Sequence, residues 1–185
     1  KMAITINGTT SVVGLKSDTN NVGLGSTTLD SITTGDYNVG LGDNALTANT
    51  TGADNTAVGY NALAANTTGA RNIAIGNNAN DLADTEDDNI AIGYNAMTAQ
   101  IAGASQNIAI GSYSLDALTS GDGNVAVGHN ALTANTTGEL NVSVGYQSLE
   151  ANTTAANCTA VGAKALKANT TGTGNVAVGK SAMLV

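Results

Sequence analysis

The stretch Asn124-Val125-Ala126-Val127-Gly128 is preceded by Asn107-Ile108-Ala109-Ile110-Gly111 and followed, at the same interval, by Asn141-Val142-Ser143-Val144-Gly145. Ten such phrases run through the chain, closing on Gly25, Gly42, Gly59, Gly76, Gly93, Gly111, Gly128, Gly145, Gly162 and Gly179. The step is 17 throughout, except for 18 between Gly93 and Gly111. A fixed short period marks a stacked architecture, in which each coil buries its apolar side chains only against its neighbours.

Numbering each repeat from its Asn, positions 2 and 4 are mostly β-branched, as in Ile73 and Ile75 or Val142 and Val144, and position 3 is Ala, Gly or Ser. Period-two alternation therefore predicts a five-residue strand with one branched-aliphatic face and one small face. The small face admits close approach of another backbone or sheet. Gly at position 5 predicts a corner, because glycine reaches φ > 0 and is disfavoured inside strands. Positions 7 to 9 read Asn-Ala-Leu, and position 11 is usually Ala. This half of the coil predicts a second short strand, with one helical turn as the alternative. Asn-Thr-Thr-Gly closes the coil as a turn. Asn55, Gly59 and Leu63 define the repeat, as do Asn124, Gly128 and Leu132. Stacked about 4.8 Å apart, the coils would align the asparagines into an amide ladder. Leu or Met at position 9 would form an aliphatic spine (Leu46, Leu63, Met97, Leu115, Leu132, Leu149, Leu166, Met183), interrupted by Asn80.

Composition fits a thin core. The 185 residues include no Phe, Trp or Pro and five Tyr. Alanine contributes little burial, whereas a large apolar side chain contributes about 1.5–3 kcal/mol. A net charge of −8 argues against nucleic acid or an anionic membrane surface as partner. No apolar run approaches the roughly 20 residues of a membrane helix. The single cysteine, Cys158, stands where nine repeats carry Asn and reads as a tolerated replacement. Met2 reads as a native start, and no secretory leader follows it.

The phrase Asn-x-Ala-Val/Ile-Gly-x-x-Ala resembles the head repeat of trimeric autotransporter adhesins, the YadA-like head. The full unit, Asn55-Thr56-Ala57-Val58-Gly59-Tyr60-Asn61-Ala62-Leu63 through Asn66-Thr67-Thr68-Gly69, resembles repeats of phage tail-fibre proteins even more. The resemblance covers 21–185 and leaves 1–20 as an N-terminal lead-in. It implies an all-β, left-handed parallel β-roll or solenoid of about ten 17-residue coils, assembled as a homotrimer. The repeat is longer than the usual adhesin head repeat, and the expected absence of an export signal and a membrane anchor favours a phage fibre. The expectation is thus a structural or adhesive fibre segment of a virion that spaces or displays a host-receptor-binding surface, contacting a cell-surface glycan or protein. The alternative is the head of a bacterial surface adhesin.

Chemistry is sparse. A hydrolytic fibre would use converging carboxylates or a Ser/His/Asp set, but the sole histidine, His129, sits at a variable corner position. No enzyme and no cofactor are expected. Repeat 4 replaces its closing turn with an acidic run, and Asp81, Asp84, Glu86, Asp87 and Asp88 are candidate Ca²⁺ ligands. Their spacing does not match an EF-hand, and a solvated acidic loop is the competing reading. Tyr60, Tyr94 and Tyr146 share position 6 with His129, which with Tyr113 makes a candidate aromatic binding surface; Asn77 and Ser112 interrupt the stripe. Specific recognition is expected in the irregular repeats 4 to 6, across Asp81–Asp88, the insertion near Ala104-Ser105-Gln106, and Tyr113. Paired threonines raise an ice-binding alternative, but adjacent threonines in a strand point to opposite faces.

Overall fold

A computed structural model describes residues 13–15, 20–99 and 103–184. Each repeat contributes one three-residue strand, and these stack in sequence order into a single sheet. The strands are β1 (Val13–Leu15), β2 (Val22–Leu24), β3 (Val39–Leu41), β4 (Thr56–Val58), β5 (Ile73–Ile75), β6 (Ile90–Ile92), β7 (Ile108–Ile110), β8 (Val125–Val127), β9 (Val142–Val144), β10 (Thr159–Val161) and β11 (Val176–Val178). From β2 to β11 every pairing is parallel and in register, position on position, as in Val125↔Val142 and Val127↔Val144. Only β1 runs antiparallel, against β2. No helix occurs among the described residues. The chain is an all-β solenoid whose coil is one sequence repeat. Of the lead-in 1–20, all but 13–15 and Asn20 lies outside the described residues.

The strand and its glycine corner stand where the sequence puts them, but the strand is three residues long rather than five, covering positions 2 to 4. The second half of the coil is neither of the expected forms. Positions 6 to 11 are turns, with φ of 56° at Asn61 and 51° at Leu63. A strand or helical turn requires negative φ throughout. Asparagine tolerates the left-handed region; leucine ordinarily does not. Leucine is held there because its side chain is buried in the interior, as at Leu63, Leu115, Leu132 and Leu149, and because its N–H bonds the next coil, as Leu63 N–H does to the Ala79 carbonyl at 3.1 Å. Burial outweighs local strain at this position. The spine holds from Leu29 to Leu166, but Met183 is 51% exposed.

The small face of the strand is the inside. Ala57, Ala74, Ala91, Ala109 and Ala126 at position 3 are fully buried, as are Ala62 and Ala131 at position 8. The close approach that these small residues permit is that of the opposite wall of the same coil. The branched-aliphatic positions 2 and 4 point outward: Ile75 is 39% exposed and Ile110 38%. So short a coil encloses room for Asn, Ala and Leu, and not for a further column of Val and Ile.

The position-1 asparagines form a buried ladder, with a different bonding scheme from simple amide-to-amide contact. From Asn21 to Asn141 each amide Nδ2 donates to the carbonyl of the closing turn of its own coil, as Asn55 does to Gly69 at 2.8 Å, whereas the terminal, half-buried Asn175 turns back to Gly172 at 3.1 Å. Each Oδ1 accepts the backbone N–H of the next asparagine, as Asn55 does from Asn72 at 2.9 Å. The asparagine thus satisfies two buried backbone groups that no strand partner reaches, a requirement that buried peptide groups impose almost without exception. Direct amide contacts supplement the scheme at Asn124–Asn107 and Asn141–Asn124, both 3.1 Å. On the surface, position 7 carries a true amide ladder from Asn44 through Asn61 and Asn78 to Asn95.

Cys158 tests this account. Its thiol reaches the Gly172 carbonyl at 3.1 Å, but it offers no carbonyl oxygen to the N–H of Asn175. Restoring the acceptor by Cys158→Asn is expected to stabilise the chain by about 1 kcal/mol, read as a higher urea midpoint. A midpoint no higher than that of the parent would count against the backbone-satisfying role of the ladder.

Candidate binding surface and acidic turn

The corner after each strand puts position 6 on the outside, one residue beyond the glycine. Stacking the coils brings four rings of repeats 5 to 8 into one column. Tyr94 and Tyr113 meet edge-to-face with centroids 5.4 Å apart and planes at 78°. Tyr113 and His129 meet likewise at 6.0 Å and 69°. His129 and Tyr146 are stacked at 5.7 Å and 27°. The stripe is therefore continuous where its sequence column is broken at Ser112. Tyr113, at position 7 of the same coil, supplies the missing ring. Tyr60 is not part of the column, since Asn77 occupies the coil between it and Tyr94. Burial raises the Tyr113 hydroxyl pKa, with Tyr94 and then Asp116 adding to the effect.

Beside the rings lies a polar network that the sequence pattern did not single out. Lys167 pairs with Glu150 at 2.8 Å and donates to Gln147 Oε1 at 3.1 Å. Gln147 Nε2 donates to Glu150 Oε1 at 2.7 Å, and Asn130 Nδ2 approaches the same oxygen at 3.4 Å. Partial burial pushes the Glu150 carboxyl up, but the bonds from Lys167, Asn130 and Gln147 prevail and hold it below its ordinary value. The one-period offset between Glu150 and Lys167 was the available signal.

The acidic run is assembled as a turn rather than as a converging ligand set. Glu86, 2% exposed, takes the place of the turn glycine. Its Oε2 accepts the N–H groups of Asp84 and Thr85 at 2.8 and 3.0 Å, and its Oε1 accepts that of Gly103 at 2.8 Å. In regular coils the turn asparagine caps its own segment, as Asn135 does with Gly138. Here Ala83 stands at that position, and Glu86 does the capping. Asp88 forms a two-pronged pair with Arg71 at 2.6 and 2.9 Å, which lowers its pKa and raises that of the guanidinium. Asp87 accepts the Ala70 N–H at 2.7 Å and contacts Arg71 at 3.2 Å. Asp84 accepts the Thr67 hydroxyl. Burial raises the pKa of Asp81. Among the described residues, no three His, Cys, Asp or Glu side chains are grouped so as to hold a metal ion. Asn80, wholly buried in the spine, has neither amide atom hydrogen-bonded. The expected insertion at Ala104-Ser105-Gln106 is bonded into the stack: the Ala104 carbonyl accepts from Asn89 Nδ2 at 2.9 Å and the Ser105 N–H donates to Asp122 Oδ1 at 2.8 Å; the neighbouring residues 100–102 lie outside the described residues.

The first threonine of the turn pairs at Thr50, Thr67, Thr136 and Thr153 is engaged within the stack. Thr50 Oγ1 donates to the Thr67 carbonyl and Thr136 Oγ1 to that of Thr153, both at 3.0 Å. These hydroxyls serve the stacking rather than forming a free surface array. Comparison of the chain with family models, with curated proteins and with solved structures gives no match in any of the three.

Proposed function

We propose that the chain is a non-enzymatic fibre segment: a homotrimeric rod of a phage tail fibre, carried on the virion, that spaces or displays a surface for host attachment. The observation that carries this reading is the outward face of the sheet. Positions 2 and 4 form two columns of Val, Ile and Leu along ten parallel strands, interrupted at position 2 only by Thr56 and Thr159, with Leu24 41% and Ile75 39% exposed. A contiguous apolar face of this kind on a single chain marks an association surface. The columns are regular and nearly uncharged, so each copy presents the same surface and can pack against another. Three copies rather than two follow from the resemblance to trimeric heads and fibres. The solenoid supplies the rod: in-register parallel strands bond every coil to the next, and ten coils at about 4.8 Å give a length of roughly 48 Å.

Light scattering tests the assembly. The expected mass is three times the 18.1 kDa of the chain. Replacing one outward side chain at the middle of the face, Ile92→Glu, places three like charges at the subunit contact and is expected to release monomers or abolish soluble assembly. An unmodified protein that runs at 18.1 kDa would overturn the trimer, and with it the fibre reading.

A further inference from the structure

We infer that the column Tyr94–Tyr113–His129–Tyr146 is a binding track for a linear, uncharged glycan laid along the solenoid axis. This deepens the fibre reading and rests on it in one respect: the corner beside the sheet must stay open in the assembled rod.

The first observation is the ring geometry. In an edge-to-face pair, the ring that offers its edge keeps both of its own faces clear of that partner. Two of the three contacts in the column are of this kind, at 78° and 69°. Tyr113 is turned across both of its neighbours, so the column retains ring faces that a uniformly stacked ladder would cover. Such faces take flat or C–H-rich partners with little demand on their sequence or pattern, as base-stacking platforms do. The centroid steps of 5.4, 6.0 and 5.7 Å repeat once per coil and suit a ligand that is itself a chain of ring-sized units.

The second observation is what flanks the rings. Asn130, Gln147, Glu150 and Lys167 form a connected set of amide, carboxylate and ammonium groups beside His129 and Tyr146. Apolar faces with a few oriented donors and acceptors beside them are what a sugar presents and requires: C–H faces on one side and hydroxyls around the rim. Along this corner, positions 6, 7 and 10 of repeats 5 to 9 carry the acids Asp116 and Glu150 and the bases Lys164 and Lys167. The charges cancel. A strongly anionic chain finds no excess of cations, and the net charge of −8 disfavours a nucleic acid strand on the same rings.

The test uses the intact protein, linear hexasaccharides of glucan, mannan, galactan and xylan type, and an oligogalacturonate hexamer as the charged control. With no Trp, and with three of the five Tyr in the column, a change in tyrosine fluorescence follows binding there, and calorimetry gives the affinity. The informative variant is Tyr113→Asn. It places in this coil the residue that Asn95 and Asn130 supply in the neighbouring ones, at a φ of 59° that asparagine accepts. At least one neutral hexamer is expected to bind, and Tyr113→Asn to weaken it about tenfold or more, the loss of one stacking contact. Tyr60→Ala should leave binding unchanged. The proposal is overturned if no neutral hexamer binds, if only the uronate binds, or if Tyr113→Asn binds as tightly as the parent. It is equally overturned if Tyr113→Asn changes the scattering mass, because the rings would then be a subunit contact. A monomeric parent that still binds a neutral hexamer would sink the fibre reading and leave the track standing.

Discussion

Gly128→Ala is expected to destabilise the rod by about 4 kcal/mol, combining about 1–3 kcal/mol of backbone strain with about 1–3 kcal/mol of overpacking. Two independent features produce the loss. Gly128 has φ of 139°, where a side chain is strained, and a Cβ there would lie 2.5 Å from the Gly145 carbonyl oxygen of the next coil. That oxygen belongs to the backbone and cannot move without opening the stack. Hydrogen exchange should show protection lost first in β8 (Val125–Val127) and β9 (Val142–Val144), because coils of a solenoid feel mainly their neighbours. A denaturation midpoint equal to that of the parent would show that the corner tolerates a side chain and that the glycine column is not set by stacking.

Asn124→Ala is expected to cost about 2 kcal/mol, since a buried polar group left unpaired costs about 1–3 kcal/mol. The asparagine amide donates to Gly138 at 2.9 Å, and its oxygen accepts the Asn141 N–H at 3.1 Å. Alanine would strand the Asn141 N–H in a region from which water is excluded, while the Gly138 carbonyl would keep its bond from the Asn135 amide at 2.8 Å. The comparison with Asn44→Gly, which accepts the φ of 60° found there, separates this role from a general preference for asparagine. Asn44 belongs to the surface ladder and bonds Asn61 side chain to side chain, so its loss should cost under about 1 kcal/mol. Equal losses at the two sites, measured by urea unfolding of the same assembled species, would contradict the assignment of the inner ladder to backbone satisfaction.

Much of the candidate site was written in the chain at the coil spacing. Arg71 and Asp88 stand one period apart, as do Glu150 and Lys167, and both pairs are ion pairs between adjacent coils. Tyr146 follows His129 by the same interval. Once coils stack in register, residues one period apart become neighbours, so these contacts follow from the numbering. Tyr113 did not show itself this way. It belongs to the next column over, and only the reach of a ring across one residue joins it to Tyr94 and His129. The acidic run was similarly opaque, because composition gives the carboxylates but not the N–H groups of Asp84, Thr85 and Gly103 that turn Glu86 inward.

The sequence by itself determined the period, the strand, the glycine corner and the division of each strand into an aliphatic and a small face. Those features are local and repeated, and alternation along a strand needs no tertiary information. Tertiary structure alone decided which face lies inside. The hydrophobic pattern favours burying Val and Ile, but so short a coil closes around a space that Ala, Leu and Asn fill, and its backbone needs the asparagine amides in that space. The aliphatic columns are left outside, where a single chain has nothing to cover them.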